Sequence, residues 1–220
     1  MRVLALDTTT PAGSVALIED DRVEDERRGD PARTHAERLP GEILSVLDAR
    51  GLSASDIDLF AVASGPGSFT GLRIACGLAQ GLAVARTLPV YGVSSLAAMA
   101  EESGAQHVLA CIDARMREVY YAALEKHDDR WREVIAAQCV APEHAPPPPA
   151  GEWIGAGNGF AVYGNLGLKR VLPEVHPTAI AVAQLAAPRL EAGEGVDAAL
   201  ATPIYVRDKV AFTKAELASR

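Results

Sequence analysis

The stretch SGPGSFTGLRIACGLAQGLA, residues 64–83, constrains this chain more than any other. It places five glycines and a proline directly behind the apolar run 59–63, LFAVA. A short apolar run closed by Gly-Pro-Gly and followed by apolar residues at helical spacing reads as buried strand, tight turn and helix, the helix covering residues 69–85. Such a turn presents free helix amides that can hold an anion. The strong phosphate-loop signatures nevertheless fail: no lysine follows Gly65 or Gly67 at the required place, and Gly65-Pro66-Gly67-Ser68-Phe69-Thr70 lacks the third glycine of the dinucleotide pattern. What remains is a helix entry capped by Ser68 or Thr70, with weak anion binding as the alternative.

The helix is more informative than the turn. Gly77 and Gly81 stand one turn apart, and each costs up to about 1 kcal/mol against alanine in a helix interior. With Gly71, Ala75, Leu78, Ala79 and Leu82 they form a surface of small and branched residues suited to a tightly crossing helix, inside the chain or in a partner. Arg73 puts a planar donor fork near the start of that helix, able to anchor a carboxylate or phosphate or to form a structural ion pair.

Around this unit the chain alternates strand and helix. Residues 2–6, 14–18 and 22–28 read as a strand meander, and 89–93 as a further short strand before a helix over 95–101. Thr34-His35-Ala36-Glu37 has capping-box spacing, and Ala36, Leu39, Ile43, Val46 and Leu47 follow on one helix face, with Pro40 expected to distort the helix without ending it. The pattern restarts near Gly104, with strands at 108–112, 118–124 and 132–135. This divides the chain into an N-terminal lobe, 1–102, and a C-terminal lobe, 103–220, and suggests a duplicated architecture. The proline-rich segment 141–151 reads as a surface loop, 155–159 (GAGNG) as a strand-to-helix corner, 180–190 as a helix and 202–206 as a last strand. Alternation of this kind favours an α/β fold of mixed sheets flanked by helices.

Composition narrows the function. A formal charge of −8 argues against a broad nucleic-acid surface, which needs clustered Lys and Arg. Three cysteines without paired spacing read as buried thiols in a reducing cytoplasm, and no segment is long and apolar enough to span a membrane. The five histidines form no HxxxH or HExxH pair, so no helical metal site is expected, and no GxSxG elbow occurs. Asp7 and Thr8, ending the first strand, and Gly157 are weak candidates for a nucleotide edge. Strand-end and corner roles account for them without any chemistry and are the preferred reading.

Asp7-Thr8-Thr9, His35 to Pro40, the run Gly65 to Arg73, Asp113-Ala114-Arg115 with Glu118-Val119-Tyr120, and Tyr205-Val206-Arg207-Asp208 occur in an order that resembles the bacterial TsaB family of tRNA threonylcarbamoyladenosine biosynthesis proteins. The resemblance covers residues 1–210. It implies a two-lobed actin-like ATPase fold (the ribonuclease H-like, ASKHA type). It also implies a noncatalytic cytoplasmic subunit supporting a TsaD-like transferase, together with a TsaE-like ATPase, in threonylcarbamoyl transfer to N6 of the tRNA adenosine beside the anticodon. On that reading ATP and Mg2+ serve the complex, the subunit requires no cofactor, tRNA is held mainly by the partners, and the chain alone is a homodimer. The family pairs through its first two helices, which implies an interface of His35, Arg38, Leu39, Ile43, Gly71, Arg73, Ala75, Leu78, Ala79 and Leu82. A small-molecule kinase of the same fold and a glycoprotease-like metallopeptidase are the alternatives.

Overall fold

The computed structural model describes residues 1–207 except 21 and 129; Asp208 of the last motif and the charged tail lie outside the described residues. The first sheet begins as the expected meander, β1 (Arg2–Asp7), β2 (Ser14–Glu19) and β3 (Arg22–Arg28), all antiparallel. Helix α1 (His35–Asp48) then leads to β4 (Leu59–Gly65), and α2 (Phe69–Val84) leads to β5 (Pro89–Ser94). Because each of these helices carries the chain back over the sheet, β4 lies parallel to β1, and β5 parallel to β4. Helix α3 (Ser95–Glu102) leaves this sheet for the second.

The second sheet repeats the plan. Strands β6 (His107–Asp113), β7 (Val119–His127) and β8 (Arg130–Val140) form an antiparallel meander. Strand β9 (Ile154–Ala156), short helix α4 (Gly159–Tyr163) and β10 (Arg170–Leu172) complete it, again with parallel pairings. The strand orders are β5-β4-β1-β2-β3 and β10-β9-β6-β7-β8, one topology used twice. Two open mixed sheets flanked by helices in this order are the actin-like architecture that the resemblance implies.

The division at residue 102/103 needs correction, because the chain crosses back. Helix α5 (Ala179–Glu191) follows the second sheet but packs on the first, and β11 (Val196–Asp197) adds to the free edge of β5. The reason is visible in its sequence: Ala179, Ala181, Ala183, Ala186 and Ala187 make a flat face that lies close against Val3, Ala5, Ala16, Ala61 and Ala63. Conversely α3 follows the first sheet but buries Leu96, Met99 and Ala100 against Val108, Ala110, Ala122 and Leu124 of the second. The lobes thus exchange their closing helices, which also touch each other. Thr178 caps α5, accepting from the Ala181 amide at 3.1 Å, and its hydroxyl donates to Glu102 at the end of α3.

Of two further points of regular structure, the first follows the sequence reading and the second departs from it. Helix α1 runs through Pro40 unbroken, held by four buried apolar side chains, Leu39, Ile43, Val46 and Leu47, each contributing about 1.5–3 kcal/mol. That outweighs the single lost backbone hydrogen bond. Residues 202–206 are extended but form no strand; the Ile204 amide donates to the Ser64 carbonyl at 2.7 Å and no ladder follows.

Candidate functional site

Two places in the molecule have functional character: the outer face of α1 and α2, and the cleft between the lobes. The first is built by local chemistry. Glu37 accepts from the Thr34 amide at 3.0 Å, closing the capping box of α1, and Ser68 accepts from the Gly71 amide at 3.2 Å to start α2. Both helices bury one face on the first sheet, and this sorts the ten residues expected at an interface. Leu39, Ile43, Ala75 and Ala79 lie in the lobe's own core, at most 4% exposed, and are unavailable to a partner in the folded chain. Gly71 is buried too: a Cβ there would stand 1.9 Å from the Thr8 carbonyl oxygen, so this glycine admits the end of β1 and not a foreign helix. Arg38 is equally internal, 4% exposed, its guanidinium gripping Glu42 at 2.8 Å and the Ala12 carbonyl, which ties α1 to the loop after β1.

The remaining positions stay available. Gly77 and Gly81 meet nothing within 4 Å, so the close approach that their helix cost implies is not made inside this chain. They lie with Val84, 57% exposed, on the outer face of α2, flanked by half-buried Ile74, Leu78 and Leu82, and Leu44 of α1 is 60% exposed. Arg73 lies on the same face. It has no carboxylate partner among the described residues; its guanidinium stacks 3.4 Å above the Phe69 ring and 5.4 Å from that of Tyr205. The aromatic pair Phe69–Tyr205 was missed from the sequence, although both residues sit in motifs singled out there.

The cleft has a volume of about 1090 Å3 and is lined from both lobes, among others by Thr9, Ser68, Asp113, Asn158, His35 and His176. Asp7 lies behind it, fully buried, its Oδ1 accepting from the Thr9 amide at 3.0 Å and the Thr9 hydroxyl at 2.6 Å. Burial pushes its carboxyl up to about 6, against the smaller opposing effect of the Thr9 bonds and of nearby His176 and Arg38. Thr8 donates to the Gly71 carbonyl at 2.7 Å, a bond internal to the fold. A Cβ on Gly157 would meet the Cys111 carbonyl at 2.3 Å, so that glycine serves packing behind Asn158. His35 lies on the cleft wall with Nδ1 2.7 Å from the Arg38 guanidinium; burial first, then Arg38, hold its pKa below the usual imidazole value. Asp113 pairs with Arg115 at 3.2 Å.

These residues do not fit a Mg2+-nucleotide. Of the acids at the strand ends, Asp113 is engaged by Arg115, and Asp7 is buried behind the cleft with Oδ1 held by Thr9 and Oδ2 without a hydrogen-bond partner among the described residues. Among the described residues no group of three or more His, Cys, Asp or Glu is placed to hold a metal ion. The thiols of Cys76 and Cys111 are pushed up by burial to about 11 and about 12, which makes them inert core groups.

A family model described as TsaD: tRNA N6-adenosine threonylcarbamoyltransferase matches residues 30–161. The chain is 37% identical to the tRNA threonylcarbamoyladenosine biosynthesis protein TsaB of Escherichia coli (strain K12), over 97% of this chain and 98% of that protein. It is 36% identical to its namesake in Haemophilus influenzae, over 97% of each. Among solved structures, YeaZ from Pseudomonas aeruginosa superposes with a TM-score of 0.86 at 39% identity, covering 93% of this chain and 99% of that one.

Proposed function

The chain belongs to the TsaB family of tRNA threonylcarbamoyladenosine biosynthesis proteins, a branch of the wider TsaD family, and from that premise we propose that it is a noncatalytic scaffold subunit. It supports a TsaD-like transferase, with a TsaE-like ATPase joining through the complex, in threonylcarbamoyl transfer to N6 of the tRNA adenosine beside the anticodon. One observation carries this reading: α2 offers an open ridge at Gly77 and Gly81 with apolar neighbours and a guanidinium that stacks on Phe69 but has no carboxylate partner among the described residues. Apolar burial along the ridge supplies affinity, and Arg73 and the half-buried His35 set the polar edge.

The same face serves a second copy of the chain when the transferase is absent, so the homodimer and the heterocomplex compete. With a net charge of −8 the subunit leaves most tRNA contacts to its partners. ATP and Mg2+ act in the complex, and the site of work is the cytoplasm; among the described residues no helix is long and apolar enough to cross a membrane.

The test is reconstitution of tRNA modification from the transferase, the ATPase and the synthase of threonylcarbamoyl-adenylate, with and without this chain. Modification that depends on adding the chain is expected; undiminished modification without it overturns the reading. Calorimetry of the isolated chain with Mg-ATP separates the kinase alternative, which requires tight binding and turnover where the scaffold gives neither.

A further inference from the structure

The motif Tyr205-Val206-Arg207 lines the cleft, and it also makes a third connection between the lobes, beside the two crossings of the chain at α3 and α5. Residues 201–207 run as an extended strap. Its start is held on the first lobe: Gln80 of α2 donates to the Ala201 carbonyl at 2.9 Å, and the Ile204 amide donates to Ser64 at the end of β4. Tyr205 then stacks on Phe69, ring centres 5.6 Å apart. Its far end reaches the second lobe, where Arg207, its side chain only 13% exposed, donates to the Ala114 carbonyl at 2.8 Å and to Glu118 Oε2 at 2.9 Å.

What Arg207 grips is unusual. Arg115, Met116 and Arg117 all have left-handed backbone, with φ of 61°, 56° and 60°, a conformation that side chains with a Cβ disfavour and that seldom recurs in three successive residues. The turn is closed by the Ala114 amide donating to the Glu118 carbonyl at 2.9 Å and the Glu118 amide donating to that of Arg115 at 3.0 Å. In this form the carbonyls of Ala114 and Arg115 face the strap, and one terminal nitrogen of the Arg207 guanidinium, Nη2, lies 2.8 Å from the first, 3.4 Å from the second and 2.9 Å from the Glu118 carboxylate, in charge-assisted bonds. A left-handed turn persists only where its surroundings hold it.

We propose that the strap is a clasp whose closing contact is Arg207: it holds the 113–118 turn in its left-handed form and so fixes the wall of the second lobe across the cleft from α2. Arg207 is a positioning residue in this device, acting on the turn and through it on the exposed Arg115 and Met116. Replacing it frees the turn and loosens the strap as one unit, while the sheets stay intact.

Amide hydrogen exchange on the full chain, resolved by NMR, tests this with Arg207→Ala and Arg207→Lys. In Arg207→Ala the amides of Ala114, Glu118 and Ile204 are expected to exchange at least tenfold faster than in the parent, while those of β1, β4 and β7 keep their rates. Arg207→Lys, which keeps the charge but not the fork, falls between and supplies the test should the alanine variant not fold. Unchanged rates at Ala114 and Glu118 overturn the proposal. A uniform acceleration across the core sheets overturns it equally, because Arg207 would then contribute only general stability.

Discussion

The two lobes share one strand order but differ in what they lay over it. Between its third and fourth strands the first lobe has the 14-residue α1, where the second has a proline-rich loop opened by a short 3-10 turn at Pro142–His144. Between the fourth and fifth it has the 16-residue α2, where the second has the five residues of α4. The corners agree closely: Gly65 and Gly157 both have strongly positive φ, 118° and 115°, and Asp7 and Asp113 both accept from the amide two residues on. The duplicated part is therefore the sheet and the turns facing the cleft, and the divergent part is the outer layer. A helix pair present on one lobe and short on the other agrees with the docking face proposed for the first lobe.

The largest effect expected from this comparison separates the inner from the outer face of α2. Ala79 is fully buried, so Ala79→Glu must place a charge among Leu4, Phe60 and their neighbours, and it should cost about 4–5 kcal/mol or prevent folding. Urea denaturation followed by circular dichroism reads this directly. A variant that retains parental stability would mean that α2 does not sit on the sheet as described. The same burial rules out Ala75 and Ala79 as places to disrupt assembly in a chain that stays folded.

The strand-end acids come next. Asp7 is fully buried with its carboxyl raised from the ordinary 3.8 to about 6, so between those values the folded chain holds a proton that the unfolded chain has lost. Stability therefore falls as pH rises through that window, by about 3 kcal/mol in full above it. Asp7→Asn removes the titration, so the stability of the variant relative to the parent should grow by that order between pH 4 and pH 7. A difference that stays flat with pH would show that burial is not what governs Asp7.

The glycines of α2 give a smaller and signed contrast. Gly71→Ala forces a methyl group against the Thr8 carbonyl and should cost about 1–3 kcal/mol. Gly77→Ala and Gly81→Ala, with open space around them, should each stabilise the isolated chain by up to about 1 kcal/mol. Thermal or urea unfolding under conditions where the chain is monomeric distinguishes them. Equal signs at Gly71 and Gly77 would remove the argument that the two serve different contacts.

These glycines also define how far the sequence could be read. Hydrophobic spacing placed α1, α2 and the first meander, because those elements bury one regular face, while the lack of histidine pairs and phosphate-loop patterns left a kinase and a metallopeptidase only as alternatives. It did not separate Ala75 and Ala79 from Gly77 and Gly81, since small residues suit a core contact and a docking ridge equally, and only the position of the sheet decides between them. The crossing of α5 to the first lobe and the clasp at Arg207 depend on contacts 89 or more residues apart along the chain, for which local pattern carries no signal. Residues 202–206 show the opposite failure: a short run that reads as a strand in sequence is anchored to the first sheet by the single Ile204–Ser64 backbone hydrogen bond and joins no ladder.

The last comparison asks for almost no change in stability. Gly77→Arg and Leu44→Arg on the outer face of the first lobe, and Val162→Arg on α4 of the second, all introduce a charge at exposed positions and should shift unfolding by no more than about 1 kcal/mol. Their effects on assembly should nevertheless differ. A bulky side chain at Gly77 fills the space that a partner helix would occupy, and Leu44 lies in the apolar border, whereas Val162 stands on the trimmed helix with no equivalent ridge. Size-exclusion chromatography with light scattering, on the chain alone and mixed with the transferase, is expected to lose both assemblies for the first two variants and neither for the third. Loss with Val162→Arg and retention with Gly77→Arg would move the docking face to the second lobe, and the trimming of its helices would then need a different explanation.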